Sequence, residues 1–228
     1  MNLSHNVYNP NNLNIDTNEY HVIPFGHRCA SALALKFASL RKFSLPFDWT
    51  TPSFPICIKN VLINNFEDFI PDVHNNIFTN KYNIRLVHFN SNIEEGIAEY
   101  KRRIERFYKV IKEGKKIYFI YVNEDYLYNA EYRKPEFNDD IFSQMVDLDS
   151  YLKKTYDNID FTILYFNFVK HKVPIDSNII NFVLHTEKIW NSNNGCPYED
   201  FRRYCGKVLS DIFETHFVPE YSRSDFIG

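Results

Sequence analysis

The sequence contains no run of about 18 consecutive apolar residues, so it offers no transmembrane helix. It also lacks an excess of positive charge. Lys and Arg number 26 against 29 Asp and Glu, a net charge of −3, and no global field draws in nucleic acid or an anionic membrane. Cysteine is sparse. Cys29, Cys57, Cys196 and Cys205 form no C-x-x-C pair, and Cys196 and Cys205 stand apart from other metal ligands, so no zinc site, and no metal, is expected. The thiols are expected to be reduced in a cytoplasmic protein, with Cys57, Cys196 and Cys205 in the core or incidental. Residues 1–18 are polar and Asn-rich, without the basic and apolar regions of a signal peptide. No internal repeat and no linker divides the chain.

What the chain does have is aromatic content, 17%, within a hydrophobic total of 44%. Apolar runs at residues 20–26, 116–122, 161–168 and 179–184 predict strands, and 84–89 reads as another clear strand. Helices are predicted over 28–40, 54–66, 92–113, 140–156 and 198–216. The third has Ile93, Ile97, Tyr100, Ile104, Phe107 and Ile111 at helical spacing, opposite a charged face, and Gly114 after it. Residues 43–49 read as a short extended piece, 123–139 as a polar, Tyr-rich loop, and 191–197 as a turn. The run at 116–122 is almost wholly apolar, as in strands buried on both faces, and 161–168 reads as another buried strand. Strands alternating with helices predict a three-layer α/β fold, a mostly parallel sheet with helices on both faces. The expected organisation is a flexible arm over 1–19, one α/β catalytic domain over 20–220, and a tail over 221–228 that is frayed or leads into a further C-terminal domain.

The chemistry centres on His21-Val22-Ile23-Pro24-Phe25-Gly26-His27-Arg28-Cys29-Ala30-Ser31-Ala32. This reads as strand, tight turn, helix, with a thiol at the helix start, where open α/β sheets place their ligands. Unpaired N–H groups and the helix dipole there favour thiolate, so Cys29 is the candidate nucleophile. His88 ends a predicted strand and is the candidate general base, and His185, at the end of another, is the alternative. All three are expected at the carboxyl edge of one sheet. Asp48 is the candidate orienter of a histidine, or else a turn or N-cap residue. Gly26 allows the turn, and His27 is expected to contact substrate. Arg28, Arg102 and Arg103 are candidates for holding phosphates, although Arg102 and Arg103 also fit a solvated helix face. Glu124 and Asp125 follow a buried strand and are candidates for binding a sugar hydroxyl or amine.

The block Ile23-Pro24-Phe25-Gly26-His27-Arg28-Cys29, followed by Leu45-Pro46-Phe47-Asp48-Trp49, resembles a family of unknown function labelled papain-like cysteine peptidase. Its members open with G-x-x-C, continue into L-P-F-D-W, and tend to carry a histidine after a strand, where His88 stands. The family's histidine is usually followed by Asp, whereas Phe89 follows here. The resemblance implies Cys-His chemistry. Around Cys29, however, the papain signature C-G-S-C-W is absent, the upstream Gln that would bind an oxyanion is replaced by Val22, Ile23 and Pro24, and the alternating elements are not those of papain. The G-x-x-C block is also similar to the G-N-C-Q block of coenzyme A-dependent capsule-polysaccharide acetyltransferases.

Three functions follow. The first is an acyltransferase taking acetyl-coenzyme A as donor and acetylating an amino sugar or nucleotide-linked sugar in glycan biosynthesis, so that the expected partner is a small-molecule sugar substrate. The second is a cysteine peptidase or amidase. The third is a non-catalytic glycan-binding module that uses the Tyr-rich loop 123–135.

Overall fold

The computed structural model describes residues 19–127, 130–184 and 197–218. Its main sheet has four strands in the spatial order β1 (Tyr20–Pro24), β4 (Lys116–Val122), β5 (Phe161–Asn167), β6 (Ile179–Val183), all parallel. The intervening β2 (Thr50–Thr51) and β3 (Arg85–Leu86) form a separate antiparallel pair. The helices are α1 (Ala30–Phe37), α2 (Pro55–Ile63), α3 (Ile93–Lys112), α4 (Pro135–Thr155) and α5 (Pro197–Ile212).

Strand alternation sorts the core into two layers. In β4, Ile117, Phe119 and Tyr121 enter a cluster with Ile58 and Val61 of α2, Phe107 and Val110 of α3, and Met145 and Leu148 of α4. Tyr118, Ile120 and Val122 enter another with Ala30 and Ala34 of α1 and Phe201, Cys205 and Leu209 of α5. Helices therefore cover both faces, and the fold is a three-layer α/β architecture built on a parallel sheet. Pro24 is compatible with β1 because that strand pairs only with β4 among the described residues. The start of α3 is set by Asn92, whose side chain accepts the Glu95 N–H at 3.3 Å, with Glu94 and Glu95 in the first turn and Lys109 and Lys112 in the last.

The 84–89 segment departs from expectation. It does not join the parallel sheet, and only Arg85 and Leu86 are strand, paired with Thr51 and Thr50. Burial accounts for this. Ile84 and Leu86 are buried while Arg85 is exposed, the pattern of a strand with one wet face, unlike β4, which is buried from Ile117 to Val122. Nor are residues 43–49 extended. A turn in which the Asp48 N–H donates to the Leu45 carbonyl (3.3 Å) redirects the chain, so that the Trp49 carbonyl accepts the Val87 N–H at 2.9 Å. Helix α4 begins at Pro135, earlier than expected, because proline suits a first turn. Two short 3₁₀ turns, Asp125–Leu127 and Glu131–Arg133, precede it. His185, Cys196 and the expected arm, 191–196 turn and tail lie outside the described residues, apart from Glu19. Among the described residues no helix is long and apolar enough to cross a membrane.

Candidate functional site

Cys29 sits immediately past the carboxyl end of β1, as the residue that begins α1. The turn that places it needs glycine. Gly26 has φ +68°, and a Cβ there would fall 2.7 Å from the Ser53 Cβ. Ser31 fastens the turn to the sheet, donating from Oγ to the Gly26 carbonyl (2.5 Å) and accepting the Val122 N–H (3.0 Å). The Cys29 side chain makes no cap to the first turn of α1 and is half-buried. Burial, the dominant effect, pushes its thiol up to about 11; Arg202 and Arg28 pull it down, while Glu124 and Asp48 push it up. The helix start therefore does not make a thiolate here, because desolvation outweighs the nearby positive charge. A thiol raised in this way favours its protonated form at neutral pH.

A histidine stands beside the thiol. The Nε2 of His88 lies 3.9 Å from the Cys29 Sγ. His88 is exposed and its backbone is left-handed (φ +54°), a region that histidine enters more often than most residues. The Trp49 ring meets the His88 ring edge to face at 5.7 Å. The two-stranded sheet supplies the framework, since β2 follows Trp49 and β3 precedes His88. Arg28 joins it through a bridge to Thr50. Cys29 thus comes from the parallel sheet and His88 from the small antiparallel one.

The remaining candidates support the turn from behind. His27 is 1% exposed. Its Nδ1 accepts the Ser53 N–H (3.2 Å), so its proton sits on Nε2, which donates to Asp125 Oδ1 at 2.8 Å. Both ring nitrogens are occupied, and its face stacks on Phe54 at 5.0 Å. Asp125 also lies 3.5 Å from the Arg28 Nε. Glu124, fully buried, accepts two hydrogen bonds from Arg202 of α5, at 2.7 and 2.6 Å. These two carboxylates are therefore committed to protein partners. Asp48 meets no histidine. It accepts from Arg41 Nη2 (2.7 Å) and Nε (3.2 Å) through Oδ2, and burial, partly offset by Arg41, raises its carboxyl.

Arg41, Trp49 and Arg202 were not legible as site residues. Trp49 belongs to the L-P-F-D-W block and was open to notice. Arg202 comes from the last helix, and nothing in its sequence neighbourhood signals Glu124.

Beside the Cys29–His88 pair lies a cleft of about 920 Å³, bordered by Trp49, His88 and Phe89. Its other walls carry Arg41 and Lys42, and Arg102, Arg103 and Arg106 from α3. Arg103 is buried, whereas Arg102 is exposed. No cluster of His, Cys, Asp and Glu among the described residues could hold a metal ion.

No curated protein and no solved structure matches the chain, and the similarity to capsule acetyltransferases finds no support. Residues 20–75, which run from the thiol strand past α2 and stop short of His88, match the family described as "Putative papain-like cysteine peptidase".

Proposed function

We propose that this chain is a cysteine-dependent acyltransferase in which Cys29 carries the acyl group and His88 moves the proton. The observation behind this reading is the 3.9 Å approach of Sγ to Nε2 at the carboxyl end of β1. In the first step His88 Nε2 takes the thiol proton while Sγ bonds to the carbonyl carbon of the donor. The carbonyl collapses, the bond to the leaving group breaks, and the leaving group takes the proton from His88. In the second step an amine attacks the thioester carbonyl, gives its proton to His88, and Cys29 leaves as thiolate and is reprotonated. Both half-reactions balance, and His88 returns to its starting state.

Acetyl-coenzyme A is the donor in this reading and would supply an activated thioester carbonyl; an amino sugar or nucleotide-linked sugar supplies the amine. Arg102 and Arg103 are the residues to hold the coenzyme, because both line the cleft beside the Cys29–His88 pair and Arg28 does not. A cytoplasmic setting belongs to the same proposal. The test is intact-protein mass spectrometry after mixing with acetyl-coenzyme A. A 42-Da adduct on Cys29, absent in Cys29→Ala and discharged by an amino sugar, is the expected result (the mass of an acetyl group replacing hydrogen, ~42 Da). Full transfer by Cys29→Ala would overturn the covalent route.

The family match at residues 20–75 favours a second reading, a cysteine peptidase or amidase. The same pair serves it, with water as the acceptor. Cleavage of a peptide library by the wild type but not by Cys29→Ala, with no adduct from acetyl-coenzyme A, would select hydrolysis.

A further inference from the structure

We infer that the cleft beside the Cys29–His88 pair is a phosphate site that holds the diphosphate or phosphomonoester of the enzyme's substrate, with Arg103 at its floor and Lys42, Arg102 and Arg106 around it. The inference rests on the acyl-transfer reading for what lies next to the phosphate, and on the cleft itself for the rest.

The charge is local. The chain as a whole is net negative, yet this cleft is lined by five cationic side chains and one carboxylate, Glu99. Two of the five are balanced within the protein. Arg41 is paired with Asp48, and Arg103 donates from Nη2 to Glu99. Arg106 donates to the Ser44 carbonyl, which holds its direction without cancelling its charge.

Arg103 carries a second and independent signal. It is 4% exposed, and its Nε and Nη1 are buried without a hydrogen-bond partner. Its guanidinium lies over the Tyr100 ring, 4.7 Å from the centroid, and the Tyr100 hydroxyl is likewise buried and unpartnered. Buried guanidinium donors without acceptors are costly, and proteins satisfy nearly all such groups. An anion reaching the floor of the cleft would provide the acceptors. Glu99 already neutralises one charge, so the surplus on Lys42, Arg102 and Arg106 exceeds what a single carboxylate needs. It suits a phosphate or diphosphate, whose oxygens accept from several cations at once.

Two substrates could bring this chemistry, the phosphates of a coenzyme donor or the diphosphate of a nucleotide-linked sugar. Trp49 lines the cleft and reports its occupancy. In a Trp190→Phe background, the protein's fluorescence should change saturably with inorganic pyrophosphate, and the affinity should fall with added salt. Arg103→Gln should weaken binding by about tenfold or more, as expected for a charge-assisted contact. Because Arg103 is buried, the double variant Lys42→Gln/Arg102→Gln, at two exposed positions, tests the site without threatening the fold. It should weaken binding by about tenfold as well. Coenzyme A or a nucleotide diphosphate sugar binding more tightly than pyrophosphate and competing with it identifies the source. No saturable response to pyrophosphate, or unchanged affinity in the double variant, overturns the inference. Cys29→Ala separates the two proposals, since it should bind pyrophosphate normally while losing acyl transfer. Acyl transfer that depends on Cys29 in a protein that binds no phosphate would sink this inference alone.

Discussion

Cys29 and His88 meet at 3.9 Å although the strands that precede them belong to different sheets, one parallel and one antiparallel. Burial raises the Cys29 thiol and favours its protonated form in the resting protein. In the proposed mechanism proton transfer then accompanies attack, as in serine nucleophiles, and does not precede it. Alkylation should reveal this. With the thiol at about 11, the thiolate fraction of Cys29 grows roughly tenfold per pH unit through the alkaline range. Peptide mapping after iodoacetamide treatment should show Cys29 labelling that keeps rising from pH 7 to pH 10, while buried Cys205 stays protected. A labelling rate already flat near pH 7 would mean a preformed thiolate.

The same shifts affect stability, and the sign is fixed. Burial raises the folded-state values of Cys29, Cys205, Tyr121 and Tyr165, so above their ordinary ranges the unfolded chain binds fewer protons than the folded one. Stability contributed by these groups is complete below pH 9 and is lost as pH rises towards 11 and beyond. Melting temperature measured from pH 8 to 11 should fall steadily.

The two histidines near the thiol should separate cleanly. His88→Ala removes an exposed ring and should lower acyl transfer by about 10²–10⁴-fold with little change in melting temperature. His27→Ala removes a buried ring that links Ser53 to Asp125, and should lower the melting temperature first. A His88→Ala enzyme with wild-type turnover would remove the base from the mechanism.

Gly26→Ala combines a strained backbone angle with a close approach to Ser53, and should destabilise the fold by about 2–4 kcal/mol. Urea denaturation provides the measurement. A change under ~0.5 kcal/mol would show that the turn yields easily.

Arg202→Gln removes the guanidinium that gives buried Glu124 two hydrogen bonds, at a cost of about 3–5 kcal/mol. It also removes the strongest charge holding the Cys29 thiol down, so alkylation of Cys29 should move to higher pH. Glu124→Gln should shift it the opposite way. Equal pH profiles in both variants would confine the pair to a structural role.

The sequence made the sheet legible where strands are apolar on both faces. Residues 116–122 and 161–167 are mostly apolar, which fits strands buried on both faces, and the turn at Gly26 follows the first strand. The sequence singled out His88 as a partner for Cys29, and the two do meet, but the route that brings His88 there was not legible. The 84–89 segment reads as a parallel strand in periodicity alone, and only the turn at Leu45 to Asp48 brings Thr50 and Thr51 alongside it. Arg103 was misread for a different reason. Its neighbours in sequence are charged, but on a helix wheel it falls beside Tyr100, Phe107 and Val110, on the buried side of α3. Asp48, Glu124 and Asp125 read as chemistry because carboxylates near a thiol invite it. Their occupation by Arg41, Arg202, His27 and Arg28 depends on contacts that no local pattern encodes.

β1 pairs with β4 alone among the described strands, and α1, β2, α2, β3 and α3 all lie between them in the chain. During synthesis the thiol turn therefore emerges long before the strand that will hold it. Until β4 leaves the ribosome, Ser31 has no Val122 N–H to accept and His27 has no Asp125. Pairing across so long a segment bears a loop-closure cost before any contact repays it, and it favours late assembly. A nascent chain halted before residue 116 should thus display Cys29 as an ordinary thiol, far more open to oxidants than the finished enzyme, and the ability to do chemistry should appear only when the fourth strand docks.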